Sequence, residues 1–100
     1  MASERTLSQE IEVELQAKKK RLQNLQQERT KLLGFIESLK DQEAVLEQLN
    51  TSARRAQNER HVEMTGLTIS EQHAKALNDL DKVEEELDAV NGAINLIGHS

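Results

Sequence analysis

The sequence predicts an all-α chain: an antiparallel helical hairpin with coiled-coil packing, dimerised antiparallel into an elongated bundle because one helix outruns the other. Three observations carry this. Apolar residues recur at alternating steps of four and three for about seven heptads, the period of a coiled-coil seam. The composition is that of long helices, with no Pro, no Trp, no Tyr, one aromatic residue (Phe35) and 31% charged residues. A single Gly-containing break, Thr65-Gly66, separates two such stripes.

The first helix is expected over about residues 8–64. Thr6 with Gln9 three residues on, or Ser8, supplies an N-cap. Its seam reads Ile11, Leu15, Lys18, Leu22, Leu25, Arg29, Leu32, Ile36, Leu39, Glu43, Leu46, Asn50, Ala53, Gln57, Arg60 and Met64. Gly66 ends it by taking the left-handed conformation. Thr68 with Glu71 forms the next capping box, with Leu67 available as a hydrophobic staple. The second helix, about 69–97, carries Ile69, His73, Ala76, Leu80, Val83, Leu87, Val90, Ile94 and Ile97 at the same spacing. The stretches Leu49–Arg55 and Val90–Ala93 are the places where either helix is most open to a bend. Residues 1–7 are expected to be a flexible N-terminus, 8–98 a single coiled-coil hairpin domain, and 99–100 a tail.

Met64, Ile69, Ala76, Leu80, Val83, Leu87, Val90 and Ile94 are the expected hairpin core. At 1.5 Å per residue the first helix would be roughly 85 Å long and the second roughly 43 Å. The N-terminal leucines would then remain in water, which marks an association surface over Leu15, Leu22, Leu25, Arg29, Leu32, Leu33, Ile36, Leu39, Glu43 and Leu46. Arg29 and Glu43 decide what covers it. A parallel homodimer stacks like charge on like charge. An antiparallel homodimer centred near Ile36 brings Arg29 of one chain within about a turn of Glu43 of the other. Leu33, Phe35 and Leu49 widen the apolar face beyond a two-stranded seam, which favours a bundle. Another protein's helix is the competing occupant.

The formal net charge is −5. Residues 1–50 hold eight Lys and Arg against nine Asp and Glu, and residues 51–100 hold five against nine. That balance suits neither nucleic acid nor an acidic membrane except locally. Lys18, Lys19, Lys20 and Arg21 form the one dense basic run, a candidate anion contact. Four consecutive residues point all around a helix, however, and no aromatic residue stands by to stack on a base. Arg54 and Arg55 are expected to pair with the acidic second helix. His61 and His73 flank the turn without enough ligands for a metal site. The chain has no Cys, no nucleophile–base constellation and no phosphate-binding loop. No cofactor, small-molecule substrate, membrane contact or enzymatic activity is expected. The N-terminus lacks the apolar core of a signal peptide, so a cytoplasmic location is expected.

The expected function is a non-enzymatic protein–protein interaction module, an adaptor, assembly factor or small inhibitor presenting a helical surface. Two alternatives are a small dimeric nucleic-acid-associated protein using the 18–21 run, and a secretion-type chaperone with one client.

Overall fold

A computed structural model describes residues 6–98. They form three α-helices and no strands: α1 (Leu7–Glu47), α2 (Thr51–Thr65) and α3 (Ile69–Gly98). The tail expected at 99–100, and the flexible terminus expected over 1–7 up to residue 5, lie outside the described residues.

The start of α1 follows from its first residues. The Thr6 N–H donates to Gln9 Oε1 at 3.0 Å, and the Gln9 N–H donates to Thr6 Oγ1 at 3.2 Å. This reciprocal box satisfies two donors that the first turn would otherwise leave open.

The long first helix expected over 8–64 is corrected here: it stops at Glu47, and a separate helix begins at Thr51. Asn50 is extended (φ −69°, ψ 169°), and its side chain accepts from the Ala53 N–H at 2.8 Å as the N-cap of α2. Arg54 then reaches back across the break. Its guanidinium donates to the carbonyls of Leu46, Glu47 and Leu49 at 3.1, 3.3 and 3.2 Å. The Leu46 carbonyl also accepts from the Leu49 N–H at 3.1 Å, and the Glu47 and Leu49 carbonyls lie where the end of α1 supplies no helical partner. The expectation that Arg54 pairs with carboxylates of the last helix is therefore replaced by a role in capping α1.

Gly66 ends α2 at φ 83°, with its N–H donating to the Val62 carbonyl at 2.7 Å. A side chain at that φ is strained, so the residue type is dictated by the backbone. The box at the start of α3 is also present. The Thr68 N–H donates to Glu71 Oε1 and the Glu71 N–H to Thr68 Oγ1, each at 3.1 Å. The backbone and hydroxyl of Thr68 hold the Glu71 carboxyl below its ordinary value of 4.5. A carboxyl lowered on folding contributes stability above its unfolded value and loses it as the pH falls through the folded one. Helicity at the start of α3 is thus expected to decline on acidification below about pH 4.5, and less steeply in Glu71→Ala. Thr68→Ala is expected to cost about 1 kcal/mol. Amide exchange of residues 69–73 across pH 3–6 checks both, and identical pH profiles for Glu71→Ala and the native chain would contradict the first.

Packing divides the chain into two compact units. One is Thr30–Lys82, and the other joins residues up to Arg29 with those from Val83 onward. In the first, Ile36, Leu39, Leu46, Ile69 and Ala76 form a buried cluster, with Leu49 and Leu80 packed against it. Leu39 is only 1% exposed. In the second, Leu25 (1% exposed) and Val83 are buried, and Leu15, Leu22, Leu87, Val90 and Ile94 are half-buried.

Met64, assigned to the hairpin core, is 85% exposed and does not belong to it. The reason is the quality of the stripe. Asn50, Ala53, Gln57, Arg60 and Met64 keep the spacing but offer little apolar area, whereas leucines offer about 1.5–3 kcal/mol each on full burial. Ile69 accordingly lies with Leu46 and Leu49, not beside the end of α2.

Candidate functional site

The seam charges are met within the chain. In the Thr30–Lys82 unit, His73 Nδ1 lies 2.9 Å from Glu43 Oε1, with both side chains largely buried. In the other unit, Arg29 Nε donates to Glu84 Oε1 at 3.3 Å, and an Arg21 Nη donates to Glu86 Oε2 at 2.6 Å. Within this second unit the higher number on α1 meets the lower on α3, so the two helices run antiparallel there. Arg29 and Glu43, the residues that an antiparallel homodimer was expected to match against each other, each have an α3 partner.

The same applies to most of the leucines expected to stand bare. Leu25 is buried, and Leu15, Leu22 and Leu32 are half-buried; Ile36, Leu39 and Leu46, also assigned to the association surface, are buried. Leu33 remains exposed. Because α1 ends at Glu47 and residues 51–65 leave the stripe, the start of α3 packs at the end of α1, Ile69 with Leu46, and α3 reaches α1 residues that a turn-to-turn hairpin would have left open.

The basic run is divided among different surroundings. Lys18 sits half-buried on the seam, 3.8 Å from Glu14, and Arg21 is held by Glu86. Lys19 and Lys20 are exposed and take part in no described ion pair. The run therefore presents two cations, not four, to an anion. The histidines do not converge. His61 Nε2 pairs with Gln72 Oε1, and His73 pairs with Glu43. Among the described residues no group of three or more His, Asp or Glu could hold a metal ion, and no helix is long and apolar enough to cross a membrane.

What the seam leaves uncovered is a second row beside it. Phe35, Ser38, Gln42 and Val45 follow the same three-four spacing on the flank of α1, which places them on one face, and Leu49 follows just past the end of the helix. Phe35 is 42% exposed and Val45 59%. Ser38, Asp41, Gln42, Val45, Leu46, Leu49, Gln57 and Ile69 line an open groove of about 420 Å³. Its floor is Leu46 and Ile69 of the core, its wall is Val45 and Leu49, and its rim is polar with one carboxylate, Asp41. Sequence reasoning noted Phe35 and Leu49 as a widened face but missed Val45 and the groove. The signal was present as the interrupted second stripe, and two polar members hid it.

In comparisons with protein-family profiles, curated proteins and solved structures, nothing matches the chain.

Proposed function

We propose that the protein is a non-enzymatic interaction module, an adaptor, assembly factor or small inhibitor, whose α1–α3 pair is a coiled-coil scaffold and whose groove beside Val45 receives a helix from another protein. The observation that carries this reading is exposed Val45 (59%) beside half-buried Leu49, over a core in which Glu43 already has a partner and Leu39 and Leu46 are already buried. A scaffold that is satisfied along its seam and still shows apolar side chains at helical spacing suits helix-in-groove recognition. The rim defines the occupant: an amphipathic helix with apolar anchors at i, i+3, i+4 and i+7 and a Lys or Arg opposite Asp41. Arg finds planar, bidentate geometry in such a carboxylate.

The test uses designed peptides. An 18-residue helix with leucines at that spacing and flanking lysines is titrated into the isotopically labelled chain. Its leucine-scrambled and glutamate-flanked versions serve as controls. Shifts centred on Val45, Leu49 and Gln57, seen with the lysine-flanked peptide and lost in Val45→Asp, are expected. Shifts on another face, or equal response to the scrambled peptide, would overturn the reading. Binding of a 20-base-pair duplex at low salt that disappears in Lys19→Glu/Lys20→Glu would favour the nucleic-acid alternative instead.

A further inference from the structure

The helix α2 has an outer face that the groove above does not use. It is 15 residues long and contributes no buried residue. Helices of that length are marginal in water without packing. Its ends are fixed by Asn50 and Gly66, but its side chains find little to cover them. Thr51, Arg54, Arg55, Asn58, Glu59, Val62 and Glu63 line an open groove along it of about 610 Å³, to which Thr68 also contributes.

The charges on that face are ordered. Arg54 and Arg55 stand at the N-terminal end and Glu59 and Glu63 toward the C-terminal end, with Asn58 between. Arg54 is committed to the carbonyls of Leu46, Glu47 and Leu49. Arg55, Glu59 and Glu63 take part in no described ion pair. Val62 is exposed among them.

We infer that this face binds a second copy of the chain, α2 against α2 in antiparallel sense, with the two-fold axis near Asn58. A two-fold axis makes an interface that must complement itself. With the axis at Asn58–Glu59, Arg55 of each copy stands level with Val62 of the other. Glu59 and Glu63 of that other copy lie about one turn or less to either side. The stem of Arg55 packs on Val62 while its guanidinium reaches a carboxylate. The parallel arrangement would place Arg55, Glu59 and Glu63 each against its own copy, whereas the antiparallel one leaves only the two Glu59 close together near the axis, so the charge order favours the antiparallel one. Opposed helix dipoles act in the same direction. The surface is small, so the dimer is weak and reversible, at the low end of specific interfaces. Its exposed ion pairs make it sensitive to salt.

Sedimentation equilibrium of the whole chain between about 10 μM and 1 mM, the range of a weak interface, tests this. The native chain is expected to associate as a dimer at low salt, and at least tenfold more weakly at about 0.5 M salt, where the Debye length falls to a few Å. Arg55→Glu and the pair Glu59→Arg/Glu63→Arg should each be monomeric with native helicity by circular dichroism. Mixed in equal amounts, they should form a heterodimer, since the reversed charges again complement each other. A native chain that stays monomeric throughout, a dimer untouched by Arg55→Glu, or one abolished instead by Val45→Asp would each overturn the inference. So would failure of the two well-folded variants to associate on mixing.

Discussion

Replacing Leu39 by Ala is expected to destabilise the protein by about 2–5 kcal/mol, the range for deleting a fully enclosed leucine. The side chain is 1% exposed and packed with Ile36, Leu46, Ile69 and Ala76. The loss combines the transfer free energy of the removed carbons with that of the cavity they leave. A chain of this size buries a modest core, and small domains hold only about 5–15 kcal/mol in total. One substitution therefore removes a large share of it. Urea unfolding followed by helicity measures the effect. Val45→Ala is the internal control, because its side chain is 59% exposed and substitutions at such positions usually fall within about 0.5 kcal/mol. Equal midpoints for the two variants would mean that Leu39 does not sit in a packed core.

The seam was legible because periodicity reports burial directly. Every position from Leu15 to Leu46 on the three-four pattern, Arg29 excepted, is buried or half-buried, as is every one from Ile69 to Ile97. The caps were legible too, since Thr6 with Gln9 and Thr68 with Glu71 need only local chain to form. The break after Glu47 was not, although the Leu49–Arg55 stretch was open to it. The pattern continues in phase through Asn50, Ala53, Gln57, Arg60 and Met64, so spacing alone gives no reason to stop. What stops the helix is a comparison of side chains: Leu46 and Leu49 attract Ile69 more strongly than Gln57 or Arg60 can. Arg54 then secures the bend through three carbonyls, an arrangement that no spacing rule encodes. The misplacement of Met64 and of the bare leucine stripe both descend from that one missed bend. The outer groove was half legible, because Ser38 and Gln42 interrupt an otherwise apolar row.

Replacing Glu43 and His73 together by Leu is expected to raise stability by about 1–3 kcal/mol, the cost of a buried polar atom without a partner, which the substitution removes. The pair occupies the middle of the seam with most of both side chains out of water. Its hydrogen bond uses only one ring nitrogen, and the other, His73 Nε2, is buried with no partner. An unsatisfied buried polar atom costs about 1–3 kcal/mol, a term that leucine removes. Either single substitution should do the opposite. His73→Leu strands a carboxylate among leucines, and Glu43→Leu leaves both imidazole nitrogens without a partner. A double-mutant cycle in urea separates these terms, and a double variant less stable than the native chain would show the pair to be a net contributor. The pair has a second consequence, for register. Leucine seams can slide by a heptad at little cost. A slide in one sense sets Glu43 against Leu80 and His73 against Asn50; in the other it sets His73 against Ile36. Both leave a carboxylate or an imidazole facing apolar side chains, so only the observed register satisfies Glu43. The Leu–Leu variant should therefore be more stable and less singular. Distances between spin labels on α1 and α3 are expected to broaden or split in it, and to remain single in the native chain.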